Sequence, residues 1–531
     1  MSLSERVQSR AEERRWWILL VLCFSLLVIV LDNSILNVAL PTIVRELHAT
    51  NTQLQWMVDS YTLVFAGLLL TAGSLGDRFG RRPALQVGFA IFGLGSLLSA
   101  VAGSPNVLIA TRSFMGIGGA FIMPATLSII TNVFPERERG RAIGVWAATA
   151  GVAAALGPIT GGFLLEHFYW GSIFLVNLPI VVVGLLAGFF MIPNSKDPAP
   201  PRLDPIGALL SIAGLSILLF GVIEAPTRGW GNGTTIGSFV AAAVLIAAFF
   251  VWEVRSSHPM LDLTFFRNPR FSAASTAIML TFFAMFGSLF VLTQYLQFVL
   301  GYNALQTGVR LLAFAIPMMV VAPNSARLVE RFGTKYVVCA GMTLITVGLL
   351  LLTGTHGDSS YGDLVWRMVI TASGMALTMA PATESIMGSL PLAKAGVGSA
   401  VNDTTRQVGG AVGVAVIGSV FNSLYTSTVT DRLTALTLPG DVIDRAKDSI
   451  GAALVAANNV GGTNGAAISD AARHGFLDGM HTGLVVGAVA TAVGALVTLL
   501  WLPGRALASD RSAPEAGVPT AHRSAVSPTS T

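Results

Sequence analysis

The chain has 531 residues, of which 53% are hydrophobic and only 11% are charged. A soluble protein of this length needs more polar side chains to cover its surface, so the composition is that of an integral membrane protein. The formal net charge of +4 is too small to indicate a nucleic-acid partner. The two cysteines, Cys23 and Cys339, lie in apolar segments, so the sequence predicts neither a disulfide framework nor a metal site.

Apolar segments long enough for membrane helices follow one another along the chain, since one crossing takes about 20 residues. The first segment is too long for a signal-peptide core and lacks a small-residue cleavage site, so it is interpreted as a retained helix. The predicted spans are 16–40, 54–75, 83–102, 107–132, 140–164, 172–192, 206–225, 236–254, 272–299, 305–328, 335–354, 363–390, 398–425 and 480–502. The sequence therefore predicts an all-α integral membrane protein with about fourteen spans.

Basic residues are concentrated in alternate short loops, and this bias places both termini in the cytoplasm. The stretch 426–479 also carries basic residues. Long loops are translocated largely regardless of their charge, so this stretch is expected to be a partly ordered external loop.

A short charged motif occurs twice between apolar segments. Asp77-Arg-Phe-Gly-Arg-Arg82 in the first half of the chain is matched by Glu330-Arg-Phe-Gly-Thr-Lys335 in the second. Two copies in corresponding positions indicate two homologous halves. The glycine permits a sharp turn, the acid can cap a helix or pair with arginine, and the basic residues suit lipid headgroups. A loop that only fixes the orientation of the chain is the alternative, and the second copy counts against it.

Four segments resemble, in their order and spacing, the motifs of one transporter family. They are the charged loop 73–82, the segment 31–41 with its acid Asp32, the segment 108–119 with its buried Arg112, and the glycine-rich segment 151–162. In these motifs the chain is similar to the fourteen-helix drug:proton antiporters of the major facilitator superfamily.

This resemblance implies two six-helix bundles that rock around a site near the membrane midplane, with an extra pair of helices inserted between them. The implied divisions are a cytoplasmic segment 1–15, a bundle 16–192, a linker with two extra membrane helices 193–270, a second bundle 271–502 and a disordered cytoplasmic tail 503–531.

The resemblance also implies roles for two groups of residues. The charged loops would form a cytoplasmic gate made of Gly73, Asp77, Arg78, Gly80, Arg81, Arg82, Glu330, Arg331 and Lys335. The glycine-rich segment would be the fifth-helix motif that antiporters carry and symporters lack, made of Gly151, Gly157, Pro158, Gly161 and Gly162. A proline bends a helix and glycines let a neighbouring helix approach, although ordinary packing is the alternative.

Two positions depart from the family pattern. The segment after the fifth helix reads Phe168-Tyr-Trp170 and lacks the arginine that is usual there. Thr334 replaces a basic residue in the second charged loop, so we expect a weaker gate in the second half.

Two ionisable residues within predicted spans are the candidates for proton coupling, because such a side chain costs about 2.5–3.5 kcal/mol to insert. Asp32 lies deep in the first span, where a carboxylate can bind and release a proton. Arg112 stays charged and needs a partner, and an acid on the first helix is the economical choice, so we expect Asp32 and Arg112 to interact directly or through water. A structural hydrogen bond for Asp32 and a bracing role for Arg112 are the alternatives.

The substrate cavity is predicted to contain Asp32 and several further polar residues, since mixed polar and aromatic surfaces accept large apolar cations. Glu224 is either a vestibule residue or a solvated loop acid, Glu384 faces the cavity or caps a turn, and Gln294 and Gln297 line the cavity or pack between helices. Asn37 completes the set. Charged residues near span ends are expected to be solvated or in salt bridges, namely Asp59, Arg310, Asp403 and Arg406.

The sequence contains no phosphate-binding loop of the ATPases and no nucleophile elbow or cluster of histidine and cysteine, so neither an ATP-driven pump nor an enzyme is predicted. The remaining energy source is an ion gradient, and we expect H⁺ as the coupling ion with no cofactor. The predicted function is proton-coupled export of drugs, antibiotics or other lipophilic, often cationic, small molecules.

Three other functions remain open at this stage: uptake of a small nutrient by symport, export of a lipid or metabolite, and a receptor-like role in which 426–479 binds a partner. The scarcity of lysine beside arginine and alanine indicates a GC-rich bacterial genome. We expect a protein with several spans in the lipid bilayer of a bacterial plasma (inner) membrane, and we expect it to be a monomer.

Overall fold

A computed structural model describes residues 14–47, 49, 51–197, 204–256, 259–434 and 439–504. Within these residues the chain forms helices and turns and no strand. Fourteen of the helices are long and apolar enough to cross a membrane. The predicted fold class, an all-α membrane protein with fourteen spans, is confirmed.

The first half of the chain forms a bundle with its own hydrophobic core, built mainly from residues 18–192. Its helices end and begin at local signals in the sequence. Ser104 and Pro105 start the fourth helix, where the Ser104 hydroxyl accepts a hydrogen bond from the Val107 N–H. Gly80 separates the second and third helices with φ of 116°, which a residue with a side chain rarely adopts. The helices are α1 (Arg15–Leu47), α2 (Asn51–Phe79), α3 (Arg81–Ala100), α4 (Pro105–Val133), α5 (Glu136–His167) and, after a helical turn Ser172–Leu175, α6 (Asn177–Met191).

The inserted pair consists of α7 (Pro205–Arg228) and α8 (Gly233–Arg255), and α7 lies along the seam between the two halves. On the first half, Trp56 of α2 stacks on Phe220 of α7 with ring centroids 6.1 Å apart. Trp230, in the turn that follows α7, contacts the second half, where its indole N–H donates to the Ser419 hydroxyl of α13 at 2.7 Å. The helix α8 packs mainly against α7.

The second half forms another bundle, with a core built mainly from residues 249–502. Its spans begin at capped positions as well: Asn303 and Gln306 exchange side-chain to backbone hydrogen bonds at the start of one of them. Its spans are α9 (Pro269–Gln294), which continues into a π-helical turn Tyr295–Val299, then α10 (Ala304–Phe332), α11 (Thr334–Leu352), α12 (Tyr361–Gly388) and α13 (Ala395–Thr434), and finally α16, whose bounds are given next.

The structure corrects the expectation of a long loop at 426–479. The helix α13 runs on to Thr434, and two short helices, α14 (Gly440–Asp448) and α15 (Ile450–Val460), precede α16 (Gly462–Trp501). The Ser449 hydroxyl caps α15 by accepting from the Ala452 N–H at 3.1 Å, and the Tyr425 hydroxyl donates to the Ala446 carbonyl at 2.8 Å. This stretch is rich in alanine, the strongest helix former, so it forms helices although it contains few aromatic residues.

The turns with the two charged motifs lie at one end of the molecule, which we call the charged end. Arg15 at the start of α1 reaches Glu138 at the start of α5 with two bonds of 2.7 and 2.9 Å. At the same end, Asp77 near the end of α2 meets the start of α13. The other end, which carries α14 and α15, is called the opposite end.

Candidate functional site

The two ionisable candidates within the first bundle form one buried ion pair. Asp32 of α1 is 2% exposed and Arg112 of α4 is 0% exposed, and a terminal nitrogen of Arg112 contacts the Asp32 carboxylate. The same guanidinium donates to the Met57 carbonyl at 3.3 Å and to the Asn33 side chain at 3.2 Å. Its carbon lies 4.5 Å from the centroid of the Tyr61 ring. The structure thus brings together the two residues that the sequence singled out for proton coupling.

Asn177 is a third member of this cluster, and sequence reasoning missed it. Its amide donates to the other oxygen of Asp32 at 2.8 Å and to Ser96 at 3.1 Å, and Ser96 donates to the Phe174 carbonyl at 2.8 Å. The turn Ser172–Leu175 positions Asn177 at the first residue of α6. The available signal was an amide residue at the start of an apolar span, where it needs partners.

The partners of Asp32 named above are all hydrogen-bond donors, on both of its oxygens. Carboxylate oxygens accept such bonds. These contacts therefore tie α1 to α4 and to α6 through the Asp32 side chain.

Of the other predicted cavity residues, Glu224, Gln294 and Gln297 do not join this cluster. Glu224 is buried near the end of α7 and pairs with Arg228 of the same helix. Gln294 donates to the Phe290 carbonyl of its own helix at 3.3 Å, and Gln297 lies half-buried in the π-helical turn. The side chain of Asn37 lies outside the described residues.

Glu384 lies near the charged end and not beside Asp32. Its carboxylate is 4.0 Å from an Arg270 nitrogen, and Arg270 also donates to the Ser385 hydroxyl at 3.0 Å. A methyl group on Gly140, near the start of α5, would be 3.8 Å from the Glu384 side chain. Glu384 therefore occupies a contact between the halves, which neither of its two sequence readings anticipated.

The first charged loop joins the two halves at the charged end. The Asp77 carboxylate accepts from Arg81 at 2.7 and 3.0 Å and from the N–H groups of Gly396 and Val397 at 2.9 and 3.0 Å. These two N–H groups belong to the first turn of α13, so Asp77 caps a helix of the other half. Arg81 donates to the carbonyls of Leu392 and Ala393, at 2.7 and 3.2 Å. We call these contacts, between Asp77, Arg81 and residues 392–397, the latch.

The remaining residues of the first loop make separate contacts. A methyl group on Gly73 would lie 2.6 Å from the Gly396 carbonyl, so only glycine fits where α2 meets α13. Arg78 and Arg82 extend over Phe79 and Phe189, each 5.5 Å from the ring centroid. Gly80 provides the turn described above.

The second charged loop is not engaged in the same way. Glu330 and Arg331 are exposed, and Arg331 lies 5.3 Å from the Phe332 ring centroid. Among the described residues, no basic nitrogen lies within 4.0 Å of the Glu330 carboxylate, and none of the acids pairs with Lys335. The two copies of the motif therefore differ in structure at the charged end.

The glycine-rich segment of α5 contacts two helices. Gly157 is packed against Ser34 of α1, only two residues from Asp32, and Gly161 faces Ile35, 3.3 Å from where its methyl group would be. Towards α10, Gly151 faces Met318 at 3.6 Å and Pro158 packs on Gly308. Gly162 does not fit the expectation of a close helix approach, because nothing lies within 4 Å of a methyl group placed there.

A second buried ion pair lies in α13 of the second half. Asp403 and Arg406 are 1% and 6% exposed and their nearest charged atoms are 3.9 Å apart, so of the two expected alternatives the structure shows the salt bridge. Arg406 donates to Thr383 at 2.9 Å and lies 5.0 Å from the ring centroid of Trp146, which belongs to α5 of the first half. The helix α13 begins at Ala395, which places Asp403 about 12 Å inside it, under the cover of α5.

Comparisons with known proteins give a consistent result over almost the whole chain. Residues 22–414 match the sequence model of the Major Facilitator Superfamily. The chain is 34% identical over 490 residues to the multidrug efflux pump LfrA of Mycolicibacterium smegmatis, covering 92% of this chain and 96% of that protein. It is 32% identical over 509 residues to the tetracenomycin C resistance and export protein of Streptomyces glaucescens, covering 94% of each.

Two further similarities extend this result. The methyl viologen resistance protein SmvA of Salmonella typhimurium is 33% identical over 471 residues, covering 87% of this chain and 93% of that protein. In three dimensions, the crystal structure of the human organic anion transporter MFSD10 (TETRAN) aligns with a TM-score of 0.62 at 14% identity, covering 92% of this chain and 99% of that one. Because its sequence identity is low, the last match supports the fold alone.

Proposed function

The chain belongs to the major facilitator superfamily, a family of membrane transporters, and from that premise we propose that it exports drugs, antibiotics or other lipophilic, often cationic, compounds in exchange for protons. The observation that carries the proposal is the buried cluster of Asp32, Arg112 and Asn177. Relatives similar over most of the chain are named as efflux, export or resistance proteins, which supports export over uptake.

The cluster gives the transporter a way to couple two events. In the conformation described here Asp32 is paired, and a proton that replaces this pairing releases Arg112 and Asn177 to take other positions. A proton and a substrate that stabilise different conformations are exchanged across the membrane without any direct contact between them. Gly157 transmits the change, because it packs against Ser34 of the same helix as Asp32.

The charged end is the cytoplasmic side in this proposal, as the distribution of basic residues indicates. The latch joins the two halves there, so the conformation described here is closed towards the cytoplasm. Export then requires the latch to break, substrate to enter from the cytoplasm or the inner leaflet, and the latch to form again. Both termini lie in the cytoplasm of a bacterial cell, the protein acts as a monomer in the plasma membrane, and H⁺ is the coupling ion with no cofactor.

The experiment uses inside-out vesicles that contain the protein and an internal pH-sensitive dye. After an inward-acid gradient is imposed, lipophilic cations such as tetraphenylphosphonium and a panel of antibiotics are added one at a time. We expect substrate-triggered proton release in the wild type and none in Asp32→Asn. Asp444→Asn, a change at a mostly exposed acid of α14, is the matched control and should behave as the wild type.

Two results would contradict the proposal. Undiminished proton release in Asp32→Asn would remove this residue from the coupling. Protons and substrate moving in the same direction would establish symport in place of antiport.

A further inference from the structure

The segment between α6 and α7 contains residues 193–197, which we call the strap because they lie along the first charged loop. The N–H of Arg81 donates to the Ser195 carbonyl at 2.9 Å, and the N–H of Asp197 donates to the Asp77 carbonyl at 2.7 Å. The Asn194 side chain packs against Gly80, where a methyl group would overlap it. The strap is thus fixed to the loop through the backbone of the same two residues, Asp77 and Arg81, whose side chains form the latch.

The strap also reaches the other half of the protein. The Asp197 carboxylate is 3.2 Å from the Lys394 ammonium nitrogen. Asp197 is buried, with 6% of its side chain exposed, and the Lys394 side chain is 32% exposed. An ion pair of which one partner is buried is screened less by water and salt than a pair on the surface.

Lys394 belongs to the turn that the latch already holds. Arg81 binds the carbonyls of Leu392 and Ala393, and Asp197 binds the side chain of the next residue. Three consecutive residues before α13 are therefore each held by the first half of the chain or by the strap attached to it. Opening the charged end separates all three contacts together.

We propose that the strap is a working part of the latch, and that Asp197 and Lys394 are positioning residues that stabilise the conformation closed at the charged end. This inference deepens the proposed function and depends on its alternating-access cycle. The ion pair adds to the Asp77 contacts, so breaking it shifts the equilibrium towards the open conformation without unfolding either half.

The test measures the opening directly, in the full-length transporter in lipid nanodiscs. Spin labels are placed at Arg137 and Tyr336, which are exposed at the charged end on different halves, after Cys23 and Cys339 are replaced by serine. Distance distributions between the labels report the open fraction. The variants are Asp197→Asn, Lys394→Gln, the charge exchange Asp197→Lys with Lys394→Asp, and Lys196→Gln as the matched control at an exposed residue of the strap.

Each single variant is expected to raise the open fraction about two- to tenfold, because one charge-assisted contact is lost in the closed conformation only. The charge exchange should bring the open fraction back towards that of the parent, and Lys196→Gln should leave it unchanged. The thermal unfolding temperature in detergent should be the same in all variants. Replacing residues that only stabilise the fold would instead lower that temperature. Unchanged distances in Asp197→Asn, or a charge exchange as open as the single variants, would overturn the proposal.

Asp77→Asn is measured in parallel to separate this inference from the proposed function. If Asp77→Asn opens the charged end and Asp197→Asn does not, the strap is refuted while the latch remains. If both respond in a protein that moves no protons with any substrate, the strap stands and proton-coupled export is refuted.

Discussion

Replacing Asp77 with asparagine tests the latch, because the carboxylate of this residue accepts from Arg81 and from two N–H groups of α13. Asparagine has nearly the same shape but offers one acceptor oxygen, so at least one of these charge-assisted bonds is lost, worth about 1.5–3 kcal/mol. When the charged end opens, water solvates residue 77, so the loss falls on the closed conformation. The equilibrium should shift towards the open conformation by about 10- to 150-fold.

The assay combines the spin-label distances with proton release from inside-out vesicles. Asp77→Asn should insert at normal levels, open the charged end and export more slowly, because the closed conformation forms less often. Glu330→Gln is the matched control at the second copy of the motif; it should change neither measurement, since Glu330 is exposed. Normal distances and normal export in Asp77→Asn would refute the idea that this loop holds the two halves together.

Two further predictions concern packing and coupling. Asn177→Ala should preserve the fold but reduce substrate-triggered proton release at least tenfold, because Asp32 loses the hydrogen bond of 2.8 Å that the Asn177 amide donates. Proton release equal to that of the wild type would exclude Asn177 from the coupling cluster. Gly144→Ala should slow export, because the added methyl group would lie 2.5 Å from the Ala322 carbonyl oxygen. Gly162→Ala should leave the transport rate unchanged, because nothing lies within 4 Å of a methyl group at that position. Equal transport rates for the two variants would contradict this account.

The sequence predicts those features that depend on single residues in unsuitable surroundings. Asp32 and Arg112 stood out because charged residues rarely lie within apolar spans, and their pairing followed from the need of each for a partner. For Asp77 the sequence offered two partners, a helix start and an arginine, and the structure contains both. The identity of that helix could not be predicted, because α13 lies more than 300 residues further along the chain.

The features that sequence reasoning missed depend on how helices are placed against one another. Asn177 is an ordinary amide until the turn before α6 directs it towards Asp32. For Asp403 and Arg406 the sequence left solvation and a salt bridge open, and the cover that decides for a buried pair comes from α5, whose Trp146 lies against Arg406. The stretch 426–479 was taken for a loop because its alanine-rich helices contain few large apolar residues, although alanine favours helix strongly.

The two charged motifs show how one substitution in a repeat becomes a difference in structure. Arg81 of the first copy corresponds to Thr334 of the second, and Arg81 supplies every side-chain bond of the loop to Leu392 and Ala393. Threonine has no positive charge and a shorter side chain, and within the described residues neither Glu330 nor Lys335 forms an ion pair like that of Asp77 and Arg81. The weaker gate expected in the second half stays a prediction.

The seam between α5 and α10 is held at the charged end by a different kind of contact. There Gly144 of α5 lies directly against the backbone of Ala322 and Pro323 of α10, without an ion pair between these residues. The charged end is therefore closed by hydrogen-bonded charges where α2 meets α13 and by close apolar packing where α5 meets α10. Because charges respond to neutralisation and packing responds to added volume, Asp77→Asn and Gly144→Ala should weaken different seams, and their effects on the open fraction should add when the two are combined.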